Sequence, residues 1–275
     1  MNHKKLTWLI LAAVLVILAV WTAWGNSALI VSDIKIKSEN LPIAFEGFKI
    51  AHVSDLHNAQ MGKDNEKLIK MLEQQKPDII AVTGDLIDSS NTNIDIALSF
   101  IAKAVSIAPV YYVTGNHEAR ARDAYKKLEY GMESLGVNVL HNDMKYIQKD
   151  GQKIQIIGVD DPSFNNVYSI GNELKRLNDE NAYTVLLSHR PELFREYVES
   201  EIDLTLSGHA HGGQFRLPFV GGIIAPNQGL FPEYDSGLYA EESTNMVVSR
   251  GIGNSILPFR FNNRPEIVMI TLAAI

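Results

Sequence analysis

The sequence predicts an α/β fold built on a largely parallel sheet, preceded by an apolar N-terminal segment. Six short runs rich in β-branched residues are almost continuously apolar, and helical patterns lie between them. Strands that are apolar on both faces are typical of parallel sheets covered by helices. The runs are Lys49–Ser54, Ile79–Thr83, Val110–Thr114, Ile154–Val159, Thr184–Ser188 and Leu204–Ser207.

Helices are predicted between these runs from the spacing of apolar residues and from the prolines and glycines that end them. The pattern around residues 68–72 predicts a helix that stops before Pro77. Similar patterns predict helices over 94–105 and 125–135, and Pro191 predicts a helix start before 192–199. Residues 215–235 are rich in Gly and Pro, which predicts a long loop. A final strand pair is predicted at Met246–Ser249 and Glu266–Leu272.

Composition excludes several classes of protein. With 46% hydrophobic and 21% charged residues among 275, the chain can bury a core and is not disordered. Its net charge is −7, and residues 1–27 carry two lysines and no acids, so the remainder carries −9. Nonspecific nucleic-acid binding needs a basic face, so the acidic charge of this remainder disfavours it. Cysteine is absent, so any metal must be held by His, Asp, Glu or Asn.

The N-terminal segment predicts a membrane anchor. Leu6 to Trp24 is 19 residues without a charge, and at ~1.5 Å per residue it spans about 28 Å, close to the hydrocarbon thickness of a bilayer. Lys4 and Lys5 precede it, so the positive-inside rule places the N-terminus in the cytoplasm. A cleaved signal peptide is the alternative, although the run exceeds the usual ~7–15 apolar residues.

These observations divide the chain into three parts. We expect residues 1–27 to form a single-pass anchor with a short cytoplasmic end, and residues 28–47 to form a linker and lead-in. Residues 48–275 are expected to form the main domain, on the extracytoplasmic side of the cell membrane.

Polar residues cluster where the predicted strands end. The carboxyl ends of parallel strands meet at one edge of a sheet, and five of the eight histidines fall in these tails. Seven oxygen and nitrogen donors exceed the needs of one tetrahedral zinc and suit two ions about 3.5–4 Å apart with a bridging carboxylate. The tails are Asp55-Leu56-His57, Gly84-Asp85, Gly115-Asn116-His117-Glu118, Ser188-His189-Arg190 and Gly208-His209-Ala210-His211.

This ordered set resembles the calcineurin-like metallophosphoesterase superfamily, with motif blocks spanning residues 49–214. The N-terminal anchor, the Gly212-Gly213-Gln214 extension and Ser249–Gly253 resemble its bacterial membrane-anchored, exported branch. The resemblance implies a four-layer sandwich of two facing β-sheets flanked by helices. It also implies a hydrolase of phosphate mono- or diesters, including lipid-linked or cell-wall phosphoesters. Such an enzyme uses two divalent ions (Mn, Fe or Zn) and a metal-bridging hydroxide.

The resemblance also implies a role for each site residue. Asp55, His57 and His211 would bind the first metal, Asp85 would bridge both metals, and Asn116, His189 and His209 would bind the second. His117 would be the catalytic residue, contacting the phosphoryl and leaving-group oxygens. Glu118 stands where the superfamily often has Asp, so its relation to His117 is open. Arg190 and Arg120 are further candidates for contact with the substrate or with the ligands.

Other function classes remain as alternatives. The fold could carry a non-catalytic metal-binding scaffold, although the intact ligand set argues against it. A nuclease is disfavoured by the −9 charge of the body, and a protein phosphatase is a further alternative. The expected partners are a phosphoester substrate and the membrane, with no nucleic acid, and the chain is expected to be a monomer.

Overall fold

The computed structural model of the chain describes residues 3–164, 169–254 and 258–275. The helices are α1 (His3–Ser27), α2 (Glu66–Gln75), α3 (Ile94–Ala104), α4 (Asn116–Arg120), α5 (Arg122–Ser134), α6 (Ile170–Leu177) and α7 (Phe194–Val198). The first nine strands are β1 (Ile30–Ser38), β2 (Lys49–Val53), β3 (Ile79–Thr83), β4 (Val110–Val113), β5 (Asn138–Val139), β6 (Asp143–Lys149), β7 (Gln152–Gly158), β8 (Tyr183–Leu187) and β9 (Leu204–Ser207). The remaining strands are β10 (Arg216–Leu217), β11 (Gly221–Gly222), β12 (Ile224–Ala225), β13 (Gly229–Leu230), β14 (Gly237–Glu241), β15 (Thr244–Val248) and β16 (Glu266–Ala274).

Within the described residues, two six-stranded sheets form the body of the domain. The first has the order β1-β16-β2-β3-β4-β5, and the second β14-β15-β9-β8-β7-β6. In the first sheet only the β16–β2 pair is antiparallel. In the second, β7, β8, β9 and β15 run parallel, and the edge strands β6 and β14 are antiparallel to them. Two short hairpins, β10–β11 and β12–β13, lie outside these sheets.

The two sheets face each other and helices cover their outer faces, which gives four layers. A buried apolar cluster joins the sheets to each other, with Ile50 and Val113 from one and Ile154 and Val185 from the other. A second cluster packs α2, α3 and α5 on the first sheet, and a third packs α6 and α7 on the second. The prediction of a four-layer α/β sandwich is confirmed.

The predicted strand runs match the observed strands to within one or two residues at each end. The prediction that Met246–Ser249 and Glu266–Leu272 pair with each other is wrong. β15 pairs with β9 and β14, whereas β16 enters the other sheet between β1 and β2. Both strands are largely buried, and an apolar strand can satisfy that burial in either sheet.

The segment predicted as a lead-in contributes to the first sheet. Within residues 28–47, Ile30–Ser38 forms β1, which pairs in parallel along its whole length with β16. Its alternation of Ile34 and Ile36 with Lys35 and Lys37 is typical of an edge strand with one face on the core. The helix α1 before it is long and apolar enough to cross a membrane, by length and composition.

Candidate active site

The residues predicted as ligands follow directly on buried strands of both sheets, and most of them lie in sharp turns. Asp55, His57, Asp85, His209 and His211 have φ between 45° and 65°, in the left-handed region. Such non-glycine residues cost roughly 1–3 kcal/mol each and cluster at functional sites, where surrounding contacts hold them. Here backbone hydrogen bonds tie the turns together, for example from Asp55 N–H to Gly84 O at 3.1 Å and from His57 N–H to Asp85 O at 3.0 Å.

One cluster joins Asp55, His57 and His211. The Nε2 atoms of the two histidines lie 3.2 Å apart. Oδ1 of Asp55 lies 3.4 Å from Nε2 of His211 and 3.8 Å from Nε2 of His57. All three residues are buried, and their ligand atoms converge within the span of one ion's coordination sphere.

A second cluster joins Asp85, Asn116, His189 and His209. Nε2 of His189 is its centre, 3.2 Å from Oδ2 of Asp85, 3.2 Å from Oδ1 of Asn116 and 3.1 Å from Nδ1 of His209. The same Oδ2 of Asp85 lies 3.6 Å from Nε2 of His57 in the first cluster. One carboxylate oxygen therefore stands between the two groups of ligands.

The far sides of two histidines are held so that their inner nitrogens face the cluster. Nδ1–H of His189 donates to the carbonyl of Thr83 at 2.7 Å, which leaves the lone pair on Nε2. Nε2 of His209 lies 2.8 Å from Nη1 of Arg190 and 3.1 Å from Oδ1 of Asn227, so the outer side of this ring is also held while Nδ1 faces His189. Such outer hydrogen bonds fix the tautomer and orientation of metal-binding histidines.

The charges of the clustered side chains favour binding of a cation. Burial raises the pKa of Asp55 to about 6 and lowers that of His57 to about 4. Burial also disfavours charge on His189, but the attraction of Asp85 and the hydrogen bond to it outweigh burial and raise the His189 pKa to about 10. Buried carboxylates thus attract positive charge at the point where the imidazole lone pairs converge. The His, Asp and Asn donors suit Mn, Fe or Zn.

Glu118 supports the turn that carries Asp85. Its Oε2 accepts the N–H groups of Asp85 and Gly115, both at 2.8 Å, and its Oε1 accepts that of Ile87 at 3.3 Å. The N–H of His117 donates to Oδ1 of Asp85 at 2.8 Å, which leaves Oδ2 for the clusters. The longer side chain of Glu118 thus holds the backbone around Asp85, and a Cβ at Gly115 would overlap Oδ1 of Asp85.

His117 lies edge-on to His57, with ring centroids 4.4 Å apart. The backbone N–H of Ser89 donates to its Nδ1 at 3.0 Å, which fixes Nδ1 as an acceptor and places the proton of the neutral ring on Nε2. Burial lowers the pKa of His117, although Asp85 and Asp88 oppose that shift. The ring is therefore held as a neutral imidazole with Nε2–H as its free donor.

The two arginine candidates are placed differently. Arg190 is buried, and its guanidinium pairs with both oxygens of Asp161, at 2.5 Å from Nε and 3.0 Å from Nη2. Its Nη1 lies 3.0 Å from Oδ1 of Asn227 and 2.8 Å from Nε2 of His209. Arg190 therefore packs behind His209, one of the predicted ligands. Arg120 is exposed at the end of α4, where its charge acts on His117.

Three residues near the site were not predicted from the sequence. Oδ2 of Asp88 lies 3.7 Å from Nδ1 of His57 and 3.9 Å from Nδ1 of His117, behind both rings. Asn227 comes from the loop after β12, and Arg260 reaches to 3.4 Å from Nδ1 of His211. None of the three follows a predicted strand directly. In the structure Arg260 stands out because its long side chain is fully buried. Nothing in the sequence indicates that burial.

Residues 48–213 match the family described as Calcineurin-like phosphoesterase. The chain is 36% identical over 244 residues to the uncharacterized metallophosphoesterase YkuE of Bacillus subtilis (strain 168), covering 86% of this chain and 83% of that protein. It is 29% identical over 231 residues to the phosphodiesterase YaeI of Escherichia coli (strain K12), covering 82% of each. It is 30% identical over 261 residues to a transmembrane protein with metallophosphoesterase domain from Bos taurus, covering 89% of this chain and 57% of that protein.

The chain therefore belongs to the calcineurin-like phosphoesterase family, and it is a metal-dependent phosphoesterase. The predicted family and enzyme class are confirmed. The family depends on metal, and the clustered His and Asp side chains of this chain are its candidate ligands.

Proposed function

We propose that the chain is a membrane-tethered hydrolase of phosphate diesters that holds two divalent ions. The observation that carries the two-ion assignment is the position of Asp85 Oδ2, which lies 3.6 Å from Nε2 of His57 and 3.2 Å from Nε2 of His189. A carboxylate between the two groups of donors offsets charge on both ions. The name of the E. coli relative supports diesters as the first substrates to test.

The ligands are proposed to divide as the geometry groups them. Asp55, His57 and His211 hold one ion, Asn116, His189 and His209 hold the other, and Asp85 is shared. When bound, such a pair of ions polarises a phosphoryl oxygen and supplies an activated water as nucleophile. The ions are Mn, Fe or Zn, which these oxygen and nitrogen donors accept.

His117 is proposed to bind the phosphoryl group rather than to protonate the leaving group. An imidazolium needs a proton on Nδ1, where the N–H of Ser89 already donates. Burial adds to that bias by lowering the pKa of His117. The neutral ring then donates a hydrogen bond from Nε2 to a phosphoryl oxygen, where negative charge grows in the transition state.

Membrane tethering is proposed from α1. It is the helix among the described residues that is long and apolar enough to span a bilayer, and the bovine relative is named as a transmembrane protein. Lys4 and Lys5 precede the apolar stretch, and cytoplasmic flanks of single spans are enriched in lysine and arginine. The domain is therefore proposed to lie outside the cytoplasm, held at the membrane surface by an uncleaved anchor.

The activity is tested with the full chain in detergent or proteoliposomes, loaded with Mn, Fe or Zn. The expected result is turnover of a p-nitrophenyl phosphodiester with about two ions bound per chain. An Asn116→Ala, His209→Ala double variant, which removes ligands of one ion, is the matched control and should lose turnover. Two bound ions without turnover of any mono- or diester would instead identify a metal-binding scaffold.

Orientation is tested by adding protease to intact protoplasts. Digestion of the domain from outside supports the extracytoplasmic assignment, provided that a cytoplasmic marker protein stays intact. Protection until lysis would place the domain in the cytoplasm and overturn the assignment.

A further inference from the structure

An apolar groove runs between the C-terminal part of α1 and residues 258–261. It is a shallow groove, open along one side, with a volume of about 630 Å³. Two alanines on the helix, Ala19 and Ala23, leave room for it. The helical wall consists of Leu18, Ala19, Thr22, Ala23 and Asn26, and the opposite wall includes Pro258, Phe259 and Phe261.

The helical wall places the groove at the depth of lipid chains. Residues 18–26 cover about 12 Å at ~1.5 Å per residue, at the end of α1 nearest the domain. If α1 spans a bilayer, this part lies in the leaflet next to the domain. Trp24, which lies 4.8 Å below the guanidinium of Arg264, is placed where aromatic side chains mark the interface.

The segment that forms the opposite wall also contacts a residue of the candidate metal site. Phe259 and Phe261 line the groove, while Arg260 between them is only 1% exposed and points to the other side. Its Nη2 contacts the carbonyl of Gly253 and lies 3.4 Å from Nδ1 of His211. One short segment therefore has its aromatic face on the groove and its cationic side chain against a ligand histidine.

The anchor helix is fastened to this same segment. Oδ1 of Asn26 accepts the N–H of Arg260, and Nδ2 of Asn26 donates to the carbonyl of Arg260, both at 2.8 Å. Nε of Arg264 donates to the carbonyl of Ala28 at 2.7 Å. These contacts hold the helix, the groove and the metal site in one fixed arrangement.

Exposed apolar side chains extend the groove along the two hairpins. The N–H of Arg216 donates to the carbonyl of Phe261 at 3.0 Å, and the rings of Phe215 and Phe259 are 5.4 Å apart. The hairpins thus adjoin the groove wall. Their exposed members are Leu217, Phe219, Val220, Leu230 and Phe231. Apolar side chains grouped beside a membrane span fit a lipid surface better than water.

We propose that the groove binds an acyl chain of the substrate, so that the enzyme acts on membrane lipid phosphoesters. In this proposal the acyl chain lies between α1 and Phe259 and the phosphate lies at the candidate metal site, with Arg260 packed between the groove and His211. This inference rests on the proposed phosphodiester hydrolysis and names its substrate class.

The test uses the full-length enzyme in proteoliposomes and a series of p-nitrophenyl alkyl phosphates from methyl to dodecyl. All share one leaving group and differ only in the alkyl chain. For the wild type, kcat/KM should rise several-fold for each methylene that the groove buries and then level off. Ala23→Trp fills the groove, and Ile17→Trp, on the opposite face of α1, is the matched control. Each ester partitions into the bilayer equally in the assays of the wild type and of both variants, so partition does not distinguish the three enzymes.

The measured quantity is the ratio of kcat/KM for the dodecyl ester to that for the methyl ester. We expect this ratio to fall at least 10-fold in Ala23→Trp and to stay at the wild-type value in Ile17→Trp. An unchanged ratio in Ala23→Trp, or an equal fall in both variants, overturns the acyl-chain assignment. Hydrolysis of the methyl ester without any dependence on chain length also overturns it, yet leaves the phosphodiesterase assignment intact. No hydrolysis of any member refutes that underlying assignment instead.

Discussion

The carboxylate of Glu118 accepts the backbone N–H of Asp85 at 2.8 Å, so the residue that follows His117 holds the turn that carries Asp85. The same oxygen accepts the N–H of Gly115. This arrangement links the ends of β3 and β4. It also explains how the longer glutamate fits at this position, because its carboxylate reaches the neighbouring turn. The His117 ring is hydrogen-bonded by Ser89 instead.

We predict that Glu118→Ala weakens metal binding by about 10–100-fold, because residues that orient ligands typically carry effects of that size. Glu118→Gln keeps one acceptor oxygen and should weaken binding less. Titration of the metal-free enzyme with Mn or Zn measures both effects, and Glu133→Gln on the exposed face of α5 is the control. Unchanged affinity in Glu118→Ala would contradict the supporting role.

Asp85→Asn should remove most activity and loosen both ions, because one carboxylate offsets the charge of two. Metal content after dialysis is the measurement, compared with Glu133→Gln on the exposed face of α5. Retention of two tightly held ions by Asp85→Asn would show that Asp85 is not shared.

His117→Asn should keep both ions and lower kcat by roughly 10²–10³-fold, the size reported for loss of one preorganised hydrogen-bond donor. Because Ser89 holds the ring in its neutral form, we expect similar losses for p-nitrophenyl and for alkyl leaving groups. A much larger loss with the poor leaving group would instead identify His117 as a general acid. Loss of metal would identify it as a ligand.

His141 should make stability depend on pH. Its hydrogen bond to Asp160 at 2.8 Å, together with Glu129, raises its pKa to about 9 despite partial burial. Because the folded-state pKa lies above the unfolded value, the stabilisation is complete below about pH 6.5 and is lost as the pH rises through about 9. The side chain is 39% exposed, so the effect is modest.

The measurement is the difference in urea midpoint between wild type and His141→Gln. This difference should be largest at pH 6 and vanish near pH 10, and Glu129→Gln, which removes one of the two partners, should shrink it. A difference that does not change with pH would mean that the contacts of His141 are not ionic.

The sequence predicts that the candidate ligands converge, because each of them follows closely on a buried strand and parallel strands end at one edge. Residues such as Asp88, Asn227 and Arg260 lie in segments without periodicity, and only the folded loops decide what they touch. The destination of β16 was mispredicted for a related reason. An apolar sequence predicts that a strand is buried, but it does not indicate which of the two stacked sheets the strand joins.

The position of β16 has a consequence for folding during synthesis. The first sheet has β16 between β1 and β2, so a growing chain that has not yet produced Glu266–Ala274 has a gap in the middle of that sheet. Pairings this distant in sequence form late and slowly. If the domain is exported as proposed, the first sheet would still be incomplete during translocation, and folding would finish only after the last strand has crossed the membrane.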